Sequence, residues 1–597
     1  MSNKTSVFPG AYLEVCLGKR TAIPVKLLKP RPVSGSFLEI VKLIEKARKD
    51  TRVRGLVLNL SGFSADRASL WELRKLLESF KTPAFQPGLD QDALDQKGQD
   101  AAKPRKKIVA YLGQGDLDLY CLASVADKIV LDATGTLGLF GFLYGRGFVR
   151  RTLEKIGIGI RELRYLTYKS AQESFTRDSL SEADKEQYGA YLDDTFAVTR
   201  ALLMESRSLS GEDVERIMND EFLYSAARAH TRGLVDYTGR EEAVQEAVRE
   251  LEGGDPKTWF RWGDAQFSLL PDGKTGRGGK EQEQGLEPRP YRAESGGFPV
   301  KRDEIALVYA RGQTDFDQGM AARGLAPLIR EISRRKAVKA LVLRVESPGG
   351  SAEAADHIAR AVGDAKQRIP VVVSMGSVAA SGGYWVSMNA SSIVASPYTL
   401  TGSIGVIGAW FFDRGLYDKL GFAVDTISRG AHADLAAGIM IPHRDLSAEE
   451  EEQFRRLILD LYADFVAKVA AGRNLSPEAV EAAAQGRVYS GLGARDAGLV
   501  DRIGGIAEAL QTARELAKIP PDKRIRYNEY PKAKLIDRLS ARFGLPAPPF
   551  VLAPSISAPQ PPWPDFLLAP AGLAEDLRYR LSRNGTPMPI LPLGLFP

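Results

Sequence analysis

Residues 369–412 read IPVVVSMGSVAASGGYWVSMNASSIVASPYTLTGSIGVIGAWFF, 44 in a row without an Asp, Glu, Lys or Arg, in a chain where 26% of residues are charged. A membrane-spanning helix needs about 20 predominantly apolar residues. Ser374, Gly376, Ser377, Ser381, Gly382, Gly383 and Ser387 interrupt this stretch too often for that. The pattern predicts a buried strand from Pro370 to Met375, a Ser-Gly-Gly turn into a short helix, and a second buried strand near Ser392 to Ala395. Ser381 stands at the strand-to-helix turn. Free backbone N–H groups and the helix dipole favour developing negative charge there, which suits an acyl-transfer nucleophile. A lone serine before a helix is more often just an N-cap, so the rest of the chain has to decide.

At 597 residues the chain is too long for one core, and two or more domains are expected. The apolar fraction, 44%, is that of a soluble globular protein. A net charge of +6, from 81 basic and 75 acidic residues, gives no reason to expect nucleic acid as a partner. Two cysteines, Cys16 and Cys121, make a disulfide framework or thiolate cluster unlikely on composition. His230, His357, His432 and His443 lack metal-ligand spacing, so no metal or cofactor is expected. The first residues contain no apolar run long enough for a signal peptide or anchor, which suggests a cytoplasmic protein or one peripheral to a membrane.

Working outward, strands alternate with helices, as in an α/β protein. After an entry segment, 1–35, with a strand near Ala11 to Leu17, a helix is expected over Phe37 to Lys49. A strand over Gly55 to Leu60 and a helix over Ser69 to Phe80 follow. A polar, turn-rich loop covers 82–106. Strands at Lys107 to Leu112 and Lys128 to Leu131 flank a helix from Asp118 to Ala126, and long helical patterns fill 181–210. Residues 252–300, rich in Gly and charge, read as a linker or mobile loop. The pattern then restarts with strands at Glu304 to Tyr309 and Lys339 to Val345 and helices at Gly324 to Arg334 and Ala352 to Lys366.

The restart can be aligned with the first half. Gly55-Leu-Val-Leu-Asn-Leu60 matches Ala340-Leu-Val-Leu-Arg-Val345, and Asp127-Lys-Ile-Val130 matches Ser391-Ser-Ile-Val394. Thr134-Gly-Thr-Leu-Gly-Leu-Phe-Gly141 matches Thr401-Gly-Ser-Ile-Gly-Val-Ile-Gly408, and Arg232-Gly-Leu-Val-Asp236 matches Ala497-Gly-Leu-Val-Asp501. The chain therefore reads as a duplication, with repeats at 36–251 and 301–520. An extension, 521–597, holds thirteen of the 34 prolines from Pro546 onward and is expected to lie extended on the surface or be disordered. In this alignment Ser381 falls on Leu117, so the first repeat has no nucleophile. Ser347-Pro-Gly-Gly350 ends a second-repeat strand, and a Gly-Gly pair there can turn N–H groups toward a substrate oxygen. Gly349 and Gly382 are the oxyanion-hole candidates.

Ser347-Pro-Gly-Gly350, Ala379-Ala-Ser-Gly-Gly-Tyr384 and Thr401-Gly-Ser-Ile-Gly-Val-Ile-Gly408 together resemble the signal peptide peptidase A family over roughly residues 36–515. The resemblance implies two tandem α/β domains of the Clp-protease/crotonase fold. It also implies a Ser/Lys peptidase acting on cleaved signal peptides or other short apolar peptides, assembled as a homo-oligomer, possibly a tetramer. The long form of that family keeps the serine in its second half and a lysine base in its first. Here Lys169, in Tyr168-Lys-Ser-Ala171, corresponds to that base, and its counterpart in the second repeat is Ala433. Ser403 corresponds to the serine that orients the amine. Tyr384 and Trp385 read as helix packing. This chain departs from the family in having no N-terminal anchor, an expanded loop at 82–106 and a Pro-rich tail, so membrane association stays open.

A serine hydroxyl needs a base within hydrogen-bond reach, and burial lowers a lysine pKa toward usefulness. Because serine and lysine lie in different repeats, the site is expected at a domain interface. Two other readings compete. A crotonase-type acyl-CoA enzyme would share the fold but needs no Ser-Gly-Gly elbow. A non-catalytic assembly protein would need neither group.

Overall fold

The computed structural model describes residues 7–17, 37–82, 105–262, 289–290, 303–438, 440–521 and 523–531. The chain folds into two compact units. One takes residues up to Gly141 and from Ala197 to 300. The other takes Phe142 to Phe196 together with the described residues from 303 to 531. The units cut across the repeats, because the stretch 142–196 of the first repeat belongs to the unit built mainly by the second.

In the serine-bearing unit, Glu304–Arg311, Val338–Ser347 and Val371–Ala380 form a parallel core, with Arg526–Tyr530 added in parallel on the outside of Glu304–Arg311. Runs such as Ala340 to Val345 are buried throughout, as expected of strands covered on both faces. Val371–Ala380 runs beyond the expected strand, reaching Ala380 rather than Met375. It holds Ser392–Ala395 against its first half and Leu400–Gly402 against its last three residues. Helices Ala322–Ser333, Ala352–Lys366, Ala448–Arg473 and Ile506–Leu516 carry apolar faces onto the core. Ser351 caps Ala352–Lys366 by accepting from the Ala354 N–H at 3.3 Å.

The other unit repeats this plan. Asp255–Trp262, Val7–Cys16, Val53–Asn59, Lys107–Asp116 and Lys128–Gly138 follow in the same parallel order. Leu223–Ser225 runs antiparallel on Lys128–Gly138, as Val488–Tyr489 does on Leu400–Gly402. Its core gathers Tyr12, Val57, Val109, Val130, Val244, Val248 and Trp259. The expected duplicated α/β architecture is therefore what the chain adopts. Among the strands not foreseen, two lie in stretches read as unstructured. Asp255–Trp262 lies in the stretch read as linker, and Arg526–Tyr530 in the stretch read as C-terminal extension. They pair in parallel with equivalent strands, Val7–Cys16 and Glu304–Arg311. The rest of the expected linker, most of the 82–106 loop and the Pro-rich tail lie outside the described residues. Among the described residues no helix is long and apolar enough to cross a membrane.

Candidate active site

The strand Val371–Ala380 delivers Ser381 to the head of the helix Gly382–Ser387. Ser381 is buried and has φ 57°, ψ −113°, a conformation that a side chain adopts only when its surroundings impose it, at a cost on the order of 1–3 kcal/mol. Its N–H donates to the Gly402 carbonyl at 2.8 Å. Its hydroxyl makes no capping bond to the helix, so the N-cap reading fails and Oγ points elsewhere. The helix is wholly buried. Trp385 stacks on Phe465 with centroids 4.2 Å apart, and the Tyr384 hydroxyl donates to the Leu499 carbonyl at 3.0 Å, which is the packing role expected of both.

Glycine is required beyond the serine. A Cβ on Gly382 would lie 2.6 Å from Thr314 Oγ1 and 3.1 Å from Gly349 Cα, and one on Gly383 would lie 2.8 Å from the Ser347 carbonyl. The Ser-Pro-Gly-Gly turn is thus brought against the elbow. Gly349 itself has φ 107°, and its N–H donates to Ser347 Oγ at 3.2 Å.

Lys169 arrives on a strap that periodicity did not reveal. A strand, Ile158–Leu163, pairs antiparallel with Gly408–Asp413, from Ile158 opposite Asp413 to Leu163 opposite Gly408. Beyond it the Ser170 N–H donates to the Tyr168 carbonyl at 2.9 Å, a three-residue turn centred on Lys169. The Tyr168 N–H donates to Gln485 O at 2.9 Å. Gly486, with φ +81°, lies so close that a Cβ there would be 2.6 Å from Lys169 Cβ. The expectation that the two residues need a domain interface is corrected by this strap, because Lys169 and Ser381 belong to one compact unit.

Lys169 Nζ lies 2.6 Å from Ser381 Oγ, 2.8 Å from the Ser403 carbonyl oxygen and 2.9 Å from Ser403 Oγ. Ser403 is held in the left-handed region, φ 51°, with its N–H donating to Arg487 O at 2.6 Å. Lys169 is fully buried, and among the described residues no carboxylate pairs with it. Burial alone holds its pKa well below the ordinary lysine value. A neutral amine has two N–H donors and one lone pair. Donation to the two Ser403 oxygens leaves the lone pair facing the Ser381 hydroxyl. Among the described residues no histidine hydrogen-bonds Ser381. His432 contacts Glu450 at 2.8 Å, beside the exposed turn that holds Ala433. No described cluster of His, Cys, Asp or Glu could hold a metal ion.

What sequence reasoning missed is the support behind the lysine: Arg146, Asp184 and Gln187, all buried within the same unit. An Arg in a loop and an Asp and a Gln on a helical stretch otherwise read as ordinary surface residues. No signal short of the fold would have singled them out.

A buried serine at a strained strand-to-helix elbow, with glycine turns beside it and an amine against its hydroxyl, is the architecture of the serine hydrolases. Residues 100–254 and 364–520 match the model of Peptidase family S49. Over 530 residues the chain is 31% identical to "Serine protease SPPA, chloroplastic" of Arabidopsis thaliana, covering 86% of this chain and 71% of that one. It is also 31% identical to "Protease 4" of Salmonella typhi over 496 residues, 81% of this chain and 72% of that one. The "Protease 4" of Haemophilus influenzae is equally similar, at 31% over 496 residues, 82% and 74% of the two chains. The chain belongs to Peptidase family S49 and is a serine peptidase, and the resemblance read from its glycine-rich motifs is borne out.

Proposed function

We propose that this peptidase is an endopeptidase that cuts signal peptides after their release, or other short, unfolded, apolar peptides, with Ser381 as nucleophile and Lys169 as base. The observation that carries the reading is the 2.6 Å contact between the Lys169 amine and Ser381 Oγ at a buried site with no carboxylate partner among the described residues. As neutral amine, Lys169 takes the Ser381 proton while Oγ attacks the peptide carbonyl. Ser403 holds the amine in line through its hydroxyl and its carbonyl. The developing oxyanion is received by the N–H groups of Gly382 and Gly349, the latter exchanging Ser347 Oγ for the substrate. The resulting ammonium protonates the leaving amine. Neutral again, Lys169 activates the water that resolves the acyl-enzyme. The charge-free stretch 369–412 around the serine supplies the buried, low-charge setting that favours the neutral Lys169 amine.

A Leu-rich peptide and a serine-directed fluorophosphonate test the reading together. Ser381→Ala and Lys169→Ala should each reduce turnover by several orders of magnitude, and the double variant should lose little more, since the pair acts as a unit. Lys169→Arg should also fail, because guanidinium keeps its proton. The rate should rise with pH through the depressed lysine pKa. Near-normal turnover in Lys169→Ala, with Ser381→Ala inactive, would remove Lys169 as base. Absence of label on Ser381 would remove it as the nucleophile.

A further inference from the structure

Three buried polar side chains grip the strap on both sides of Lys169. Arg146 Nη1 donates to the Ser170 carbonyl at 2.7 Å, and Gln187 Nε2 donates to the Tyr168 carbonyl at 3.2 Å, so the carbonyl of each residue next to the lysine is held by a side chain. Asp184 joins the holders. Its carboxylate lies 2.6 Å from Arg146 Nη2 and accepts from Gln187 Nε2 at 2.8 Å and from the Ser170 hydroxyl. Gln187 also reaches the serine side of the site. Its Oε1 accepts from the Val488 N–H at 3.0 Å. Val488 pairs with Gly402, whose carbonyl accepts from the Ser381 N–H at 2.8 Å. One amide side chain therefore ties the lysine strap to the strand that fixes the nucleophile.

The charges around this point balance. Arg146 and Asp184 have fully buried side chains, as has Glu173. Glu173 binds Arg164 and receives the Ser181 N–H at 3.3 Å. Two cations face two anions behind the strap, on the side of Ser170. Glu162 is 4.0 Å from Arg164, and Arg487 pairs with Glu186 at 2.9 Å nearer the surface. A buried ion pair is weak evidence for stability, since desolvation opposes it, so its retention one residue from the base calls for another reason.

We propose that Arg146, Asp184 and Gln187 are positioning residues for the reaction: they hold the Lys169 amine in line with Ser381 and keep its surroundings electrically neutral. This role rests on the Ser381–Lys169 reading above. Gln187 serves geometry alone, whereas Arg146 and Asp184 serve charge balance together with geometry. Gln187→Leu removes the bridge and leaves every charge in place. Arg146→Met leaves the Asp184 carboxylate without its cation behind the lysine strap, which should favour the ammonium and move the acid limb of kcat/KM to higher pH. Asp184→Asn leaves an extra positive charge and moves that limb to lower pH. The double variant restores neutrality.

The experiment measures kcat, KM and the pH profile on the Leu-rich peptide for these four variants and for Lys169→Ala, with folding checked by thermal melting. We expect Gln187→Leu to lose about tenfold or more in kcat with KM little changed, since small misplacements of catalytic groups are costly. The acid limb should shift in opposite directions in the two single charge variants and return in the double. A folded Gln187→Leu with normal kcat, or one common acid limb in all four, would overturn the proposal. If a single charge variant does not fold, Gln187→Leu and the double decide. Turnover surviving in Lys169→Ala would instead overturn the dyad itself, and an inactive Lys169→Ala beside normal cluster variants would overturn only the positioning role.

Discussion

Lys169 sits where a charged amine is unfavourable, and that has a consequence for stability as well as for chemistry. In the unfolded chain it keeps its proton up to about pH 10.4. In the folded protein burial drives the proton off at lower pH. Between those two values the unfolded state binds one more proton than the folded state, so stability rises with pH across that window. Below the folded pKa the penalty is complete and constant. Lys169→Met removes the titration while filling the same volume. The variant should melt above the wild type at neutral pH, and its advantage should narrow as pH climbs toward the ordinary lysine value. Lost hydrogen bonds to Ser381 and Ser403, worth about 1 kcal/mol each, work against the gain. An advantage that did not narrow with pH would point to packing rather than to the proton. Left-handed φ values at Ser381 and Ser403 belong to the same economy: the fold holds two strained serines around one discharged amine.

At the scale of elements, strands buried on both faces announced themselves as unbroken apolar runs, and Val338–Ser347 and Val371–Ala380 were legible for that reason. The Ser381 elbow was legible from its glycines, each of which meets a neighbour too close for a Cβ. The lysine strap was not legible. Ile158–Leu163 is short, and its partner Gly408–Asp413 lies far away in sequence. Lys169 itself sits in a turn with no periodicity to read. Outer strands were hidden by composition, since Arg-Tyr-Asn-Glu-Tyr at 526–530 resembles a polar loop. Its burial is specific nonetheless. Tyr530 is buried, its hydroxyl donates to Glu304, and Arg335 lies over its ring at 5.2 Å. A truncation after Phe543 should therefore keep both fold and peptidase activity, whereas one after Ile525 should strip the edge of the parallel core and yield insoluble or early-melting protein. Equal behaviour of the two truncations, followed by melting and peptide turnover, would contradict this account of the edge strand.

For the whole molecule, the duplication leaves an asymmetry. In the serine-bearing unit the strap from the first repeat covers the elbow region, with Leu163 and Leu166 in the same core as Ile404 and Val406. The counterpart of that strap in the second repeat begins near Gly421, by the alignment that sets Lys169 opposite Ala433. It leaves Phe422, Ile427 and Met440 exposed, Ile427 at 94%. In the other unit, Phe140, Phe222 and Leu223 are exposed, at 55%, 45% and 54%. The first lies beside the residues that match Ile404 and Val406. Apolar side chains left open in both places are what a head-to-tail contact between copies would cover, the second-repeat strap of one copy lying on the first-repeat unit of the next. Such a contact is heterologous, so it closes into a ring or continues as a filament. We expect a closed homo-oligomer by light scattering. Ile427→Asp and Phe222→Asp should each shift it toward smaller species while leaving the Lys169–Ser381 contact, which lies within one compact unit, intact. Serine labelling that persisted in the dissociated variants would separate assembly from chemistry. A wild-type protein that sized as an active monomer would show that these side chains are ordinary surface and that the single chain suffices.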